Sequence, residues 1–381
     1  MIWNTSLQSI RKQNKKKFKE CVSLLAAASF CILSMNGCQS IANSDTIPEE
    51  NEQNQIKVVT TIFPQYDFVR QIAGENVDVQ MLLVPGEETH SYEPTPQDLI
   101  SILHCDLFIY VGGENDVWVE EILEMPDMAE VHTMQLVDCV DELEEHEHET
   151  FEECIKNHVH TADCEKEEQK LTNSCEENHQ HTAACETAEH VHTADWEHSE
   201  NAHTFDEHVW TSPINAMSIV RSITEELCHL DEENADLYQK NCAEYMVQIE
   251  ELDAEFREVV GAAERKTLLF GDRYPFKYFE EEYGLSHYAA FSGCAADTEP
   301  SAAIMAYLID KVEEEQIPVV LKMELSNDNI AEAIAEATGT KVMTFNACHN
   351  LTADQFESGE TYISLMKENI NTLKEALQVC H

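Results

Sequence analysis

Residues 84 to 96 read V-P-G-E-E-T-H-S-Y-E-P-T-P, and they join a strand to a helix. The apolar run Val77 to Val84 is expected as the strand, and Pro85-Gly86 breaks it. Thr95 follows as an N-cap, with Pro96 at the first helical position and Asp98 three residues on, so a capping box opens a helix at 96. The one histidine of the stretch, His90, therefore sits on a short loop between two rigid elements, where a ligand is held accurately. Alone it is weak evidence, because most loop histidines are simply solvated.

Outward from this stretch the pattern repeats. Lys57 to Phe63 is β-branched and apolar, Tyr66 to Ala73 has helical spacing, Leu107 to Val111 reads as a third strand and Val117 to Leu123 as a short helix. Strands alternating with helices specify βαβ units and a mainly parallel sheet. Ligands of such sheets collect beyond the carboxyl ends of the strands, which is where the loop of His90 emerges.

A second βα series lies further along. Ser212-Pro213 starts a helix that carries apolar residues over Ile214 to Leu227, and Ala235 to Val260 is helical throughout, roughly 40 Å at 1.5 Å per residue. Strands are expected near Leu268 to Phe270, Tyr288 to Phe291, Val319 to Met323 and Val342 to Phe345. Helices are expected over Pro275 to Glu282, Ser301 to Glu314, Asn327 to Ala337 and Thr361 to Leu377. The fold expected is α/β: two βα lobes, 56–230 and 264–381, joined by one long helix within 231–263.

The N-terminus reads as an export signal. Arg11, Lys12, Lys15, Lys16, Lys17 and Lys19 precede an apolar run, Cys21 to Met35, too short to span a bilayer comfortably, and Gly37-Cys38 follows. This is the pattern of a lipoprotein cleavage site, although Met35 and Asn36 match it poorly; ordinary cleavage or an uncleaved anchor are the alternatives. Residues 1–37 would then be removed, Cys38 would carry the lipid and 38–55 would be a polar tether. Loss of six basic residues and one acidic one takes the net charge from −51 to −56. Such a surface excludes nucleic acid as a partner and attracts divalent cations, although acid also serves solubility alone.

Between Asp141 and Phe205 lie ten of the 18 histidines: His146, His148, His158, His160, His179, His181, His190, His192, His198 and His203. Cys154-x3-His158-x-His160-Thr-Ala-Asp-Cys164-Glu recurs as Cys175-x3-His179-x-His181-Thr-Ala-Ala-Cys185-Glu, and a third copy has Trp196 in place of the second cysteine. The units are too polar to bury a core of their own, and the segment reads as a disordered or loosely ordered insertion. Two histidines between two cysteines suffice for one tetrahedral zinc per repeat if the thiols are reduced. In an oxidising compartment the cysteines can instead close a disulfide and leave a weaker His site. The seven cysteines outside the signal and the insertion have no diagnostic spacing.

V-V-T-T-I-F-P-Q-Y-D-F at 58 to 68, H-S-Y-E-P-T-P from His90, D-E-H-V-W-T-S-P-I-N-A at 206 to 216, Y-G-L at 283 to 285 and T-E-P-S at 298 to 301 resemble the zinc- and manganese-binding solute-binding lipoproteins of ABC transporters, of the zinc-uptake and adhesin type. The resemblance covers roughly 56 to 140 and 206 to 378. It implies two α/β lobes with a metal between them, Zn2+ as the ion with Mn2+ as the alternative, a membrane permease as partner, and an extracytoplasmic place on the membrane through the lipid anchor. The His-rich insertion is similar to that of the zinc members.

The resemblance also implies ligands. His90 corresponds to the first and His208 to the second, with Glu207 where the family usually has proline. The third falls at Arg273, which presents only donors and cannot ligate, and the fourth near Asn346. Replacements are therefore expected: His349 first, since His suits zinc best, then Glu324 and Asp272. Each has a plain structural role as well: a surface loop for His349, a helix cap for Glu324, a pairing with Arg273 for Asp272. His104, His132, His229 and His287 fall in elements whose apolar pattern explains them.

Two functions follow. One is a tethered solute-binding protein that captures zinc and passes it to a permease, with the insertion raising local zinc concentration. The other is a surface metal-buffering or adhesive protein working through the insertion. No enzyme is expected: H-E-x-x-H, G-x-S-x-G and the P-loop pattern are absent from the sequence.

Overall fold

The computed structural model describes residues 55–88, 92–113, 116–140, 205–293 and 299–379. The signal, Cys38, nearly all of the tether, His90 and the ten histidines of the insertion lie outside the described residues.

The described chain builds two four-stranded parallel sheets of the same topology. The first holds β1 (Ile56–Thr60), β2 (Val77–Met81), β3 (Leu107–Tyr110) and β4 (His132–Gln135) in the order β2-β1-β3-β4; the second holds β5 (Thr267–Tyr274), β6 (Ser286–Ser292), β7 (Val319–Lys322) and β8 (Lys341–Thr344) in the order β6-β5-β7-β8. Val58 pairs with both Val79 and Leu107, and Phe270 with Ala289 and Leu321. In each sheet the order reverses beside the first strand, so the carboxyl ends of β1 and β3, and of β5 and β7, flank a crevice.

Helices cover both faces: α1 (Phe63–Ala73), α2 (Pro96–Leu103), α3 (Val117–Leu123), α4 (Pro213–Leu230), α5 (Ala235–Ala262), α6 (Lys277–Tyr283), α7 (Ala302–Glu315), α8 (Asn329–Thr338), α9 (Ala353–Ser358) and α10 (Tyr362–Ala376). Strand residues alternate between two cores, as a period of two requires. Val59 and Phe108 pack outward with Ile102 of α2 and Val119 and Ile122 of α3, and Leu269 and Val320 with Leu308 of α7 and Ile334 of α8. Val58, Leu107, Leu268, Phe270 and Leu321 all face one inner cluster that runs through both lobes.

Helix α5 is the spine of that cluster. Tyr238, Cys242, Tyr245, Ile249, Leu252, Phe256 and Val259 are buried at alternating spacings of four and three residues, one continuous face. At 1.5 Å per residue its 28 residues span about 42 Å, and it contacts α1 and α4 from the first lobe and α6 and α10 from the second. Asp67 of α1 ties the lobes again: its buried carboxylate accepts the Tyr362 N–H of α10 at 2.8 Å.

The sequence-based elements recur with shifted ends. Thr95 caps α2 as expected, accepting from Asp98 N–H at 3.3 Å while Asp98 accepts from Thr95 N–H at 2.8 Å. Strand β1 stops at Thr60 and helix α1 begins at Phe63, with Pro64 in its first turn, so the expected strand end is helix. Strand β5 continues to Tyr274 through a register shift between Phe270 and Arg273. Gly271 sits there because a Cβ would lie 2.5 Å from the Ala331 Cα of α8. Strand β4 and helix α9 are not expected from the sequence; β4 is a polar edge strand recruited by pairing to β3, and α9 is only six residues long, opened by a Thr352 and Gln355 capping box. Cys105, Cys139, Cys228, Cys242 and Cys348 are free thiols. Among the described residues no helix is long and apolar enough to cross a membrane.

Candidate metal centre

His208 stands in the short 3-10 turn that leads into α4, where Ser212 caps and Pro213 opens the helix. The turn is fastened by its own side chains. Asp206 Oδ1 accepts the His208 backbone N–H at 2.8 Å and lies 3.0 Å from His208 Nδ1, and Thr211 donates its hydroxyl to the His208 carbonyl at 2.7 Å. Burial pushes the Asp206 carboxyl up, but the charge of His208 and its hydrogen bonds outweigh that and hold it below its ordinary range. Asp206 thus stays ionised and fixes the orientation of the His208 ring through Nδ1.

His349 follows β8 in the second lobe. Cys348, fully buried, has a φ of +61°, a left-handed conformation uncommon outside glycine, and it turns the chain so that His349 comes inward. The turn is over-determined by its partners. Asn369 Oδ1 accepts Asn346 N–H at 2.6 Å, Glu324 accepts Ala347 N–H at 2.6 Å and His349 N–H at 2.9 Å, and Trp210 donates Nε1–H to the Ala347 carbonyl at 2.7 Å. Phe63 N–H reaches the His349 carbonyl at 3.1 Å. Burial lowers the His349 pKa, so the imidazole is neutral, the form that ligates a metal.

The two histidines meet. Their ring centroids are 4.9 Å apart at 77°, and both rings pack on Trp210, at 5.6 and 5.1 Å. His208 is fully buried and His349 7% exposed, so any ion held between them loses most of its water.

The structure places the other sequence-based residues around this pair. Glu324 Oε1 lies 3.7 Å from His349 Nδ1, and both of its oxygens accept backbone N–H groups, so it orients the turn that carries His349. Asp272 accepts Arg273 N–H and Met323 N–H, each at 2.8 Å, and the Ser326 hydroxyl; it fastens the end of β5 to the turn after β7. Arg273, at the place the resemblance gave to a third ligand, is paired through Nη1 with Glu88 at 2.6 Å, and Asn346 is bonded to Leu365 and Glu368. His90 is outside the described residues. Among those described, no group of three or more His, Cys, Asp or Glu is close enough to hold a metal.

A cavity opens beside His349 and Glu324 and is lined also by Glu87 and Glu88, acidic walls that attract a cation. Sequence reasoning did not single out Asp206, Trp210 or Asn350. A carboxylate two residues before a histidine is a legible signal for the first. The contact of Trp210 with Ala347, and of Asn350 with the loop after β2, arises only from folding. The four histidines left unassigned are accounted for locally: His287 stacks on Tyr274, His104 bonds the Ile100 carbonyl, and His132 and His229 touch at the surface.

Known proteins bear on this arrangement. The chain is 29% identical over 365 residues to the high-affinity zinc uptake system protein ZnuA of Bacillus subtilis, covering 95% of this chain and 99% of that one. It is 28% identical over 359 residues to the zinc-binding lipoprotein AdcA of Streptococcus pneumoniae, of which it spans 60% of the length. The crystal structure of the Zn(II)-bound ZnuA-like domain of that AdcA superposes with a TM-score of 0.62 at 26% identity, over 85% of this chain and 99% of that domain. The family model described as zinc-uptake complex component A, periplasmic, matches residues 58–376, and the chain belongs to this ZnuA family.

Proposed function

We propose that the chain is the extracytoplasmic component of a metal-uptake ABC transporter, which captures Zn2+ in the cleft between lobes 56–230 and 264–381 and delivers it to a membrane permease. The observation that carries this reading is the pairing of His208 from one lobe with His349 from the other, each with a carboxylate beside its Nδ1. Two imidazoles brought together in one buried space suit zinc better than the harder manganese. His90 is the third ligand in this reading. Asp272 and Glu324 act as supports, since their described bonds are to backbone N–H and hydroxyl donors. Lipidation at Cys38 keeps the protein at the membrane, and the histidines of 141–205 concentrate zinc near the cleft.

Zinc titration by calorimetry tests this, on the metal-stripped protein, on a version lacking 141–205, and on that deletion with His208→Ala. One tight site that survives the deletion and disappears with His208→Ala is the expected result. Loss of all tight binding on deletion would instead assign the metal chemistry to the insertion and favour a buffering role.

A further inference from the structure

The loop after β2, which leads to His90, is bonded to the turn that carries His349, and Asn350 is the centre of the contact. Asn350 is 2% exposed, and its side-chain amide donates to two carbonyls of the other lobe, Val84 at 2.8 Å and Glu87 at 2.9 Å. Gly86 N–H adds a bond to the Leu351 carbonyl at 2.8 Å. On the other side of the same loop, Arg273 reaches from β5 to Glu88 at 2.6 Å. Segment 84–88 is thus held from the second lobe at both edges: Arg273 presents only donors and cannot ligate a cation, and the Asn350 Oδ1 is taken by the Leu351 N–H at 2.9 Å.

We infer that Asn350 and Arg273 are positioning residues for metal capture: they dock segment 84–88, whose Glu87 and Glu88 line the cavity beside His349, on the second lobe, so that this wall of the cleft is in place before the ion arrives. Pre-assembly removes an ordering cost that would otherwise be charged against affinity at each binding event. It also accounts for Arg273 standing where the resemblance places a ligand: its guanidinium serves the loop. The inference rests on the cleft reading above.

The test uses the full chain labelled with 5-fluorotryptophan. Its 19F spectrum has four signals, because the chain has four tryptophans. Trp210, against both histidines, reports zinc in the cleft even while the insertion is present, and Trp118, packed on Tyr92 and Phe108, reports folding. Zinc is titrated against a competing chelator. Asn350→Ala is expected to weaken the Trp210-reported affinity at least tenfold. Arg273→Ala is expected to weaken it several-fold, and that loss shrinks as salt rises, because only this arm is ionic. The exchange Arg273→Glu with Glu88→Arg restores affinity to within about threefold of the parent, which a purely structural Arg273 would not allow. Affinities within twofold of the parent in both single variants, with the Trp118 signal unchanged, overturn the clamp while the cleft stands. If Asn350→Ala loses the Trp118 signal, the charge exchange decides: failure to restore affinity overturns the inference. If His208→Ala leaves the Trp210 response to zinc intact, the cleft reading has failed and the clamp with it.

Discussion

Glu324 accepts a hydrogen bond from the backbone N–H of His349 at 2.9 Å while standing 3.7 Å from that residue's Nδ1. One carboxylate therefore holds both the chain and the ring of His349, and with its other oxygen it takes the Ala347 N–H.

Glu324→Gln keeps the shape but turns one accepting oxygen into a donor that faces an N–H. The turn should lose one hydrogen bond and gain one mismatch, about 1–3 kcal/mol of unfolding free energy. Zinc affinity should fall about 10–100-fold, the usual effect of removing a partner that orients a ligand. Urea unfolding and zinc competition measure the two; unchanged affinity would mean that His349 needs no such support.

Asp206→Asn should act on the metal more than on the fold. The amide oxygen can still accept the His208 backbone N–H, but the negative charge beside Nδ1 is gone. Zinc affinity is expected to drop about tenfold or more with little change in Tm. A calorimetric titration beside a thermal melt separates these outcomes.

Asp116 makes stability fall as pH rises through the weakly acidic range. Burial pushes its carboxyl up to about 6, with the charge of Glu207 adding to the effect and N–H bonds from Val111 and Gly112 opposing it. The folded value is above the unfolded one, so the folded state binds the extra proton. This contribution is full below about pH 4 and lost as pH rises through about 6. Asp116→Asn can keep both N–H bonds through one oxygen and cannot ionise. Between pH 4 and 7 the stability difference should move in favour of the variant by about 2–3 kcal/mol, read from urea midpoints.

Gly271→Ala should destabilise the second lobe. The added methyl would meet backbone atoms of Ala331, 2.5 Å from Cα and 2.8 Å from N, which cannot rotate away. A cost of about 1–3 kcal/mol or more is expected in chemical denaturation, from α8 being pushed off β5.

Much of the fold was legible because it is local. The capping box of Thr95 and Asp98, the Pro213 helix start and the four-three spacing of Tyr238 to Val259 are written in neighbouring residues, and each appears as an element. Ends were less legible where a side chain serves tertiary contacts. Strand β5 runs past Phe270 because its partner strand β6 pairs with Arg273 and Tyr274, and β4 exists because β3 offers it an edge.

At the centre, the sequence by itself determined the alternation of strands and helices, the bridging helix, the acidic charge and the motif around His208. Those depend on periodicity, capping and composition, which act over a few residues. Only the tertiary structure decided that His349 meets His208, that Glu324 and Asp272 take backbone and hydroxyl donors, and that Arg273 pairs with Glu88. The first and last of these contacts join the two lobes, and those of Glu324 and Asp272 join different strands of the second sheet; all unite residues distant in sequence, which meet because the apolar faces of both sheets close on α5 and bring the carboxyl ends of their strands together.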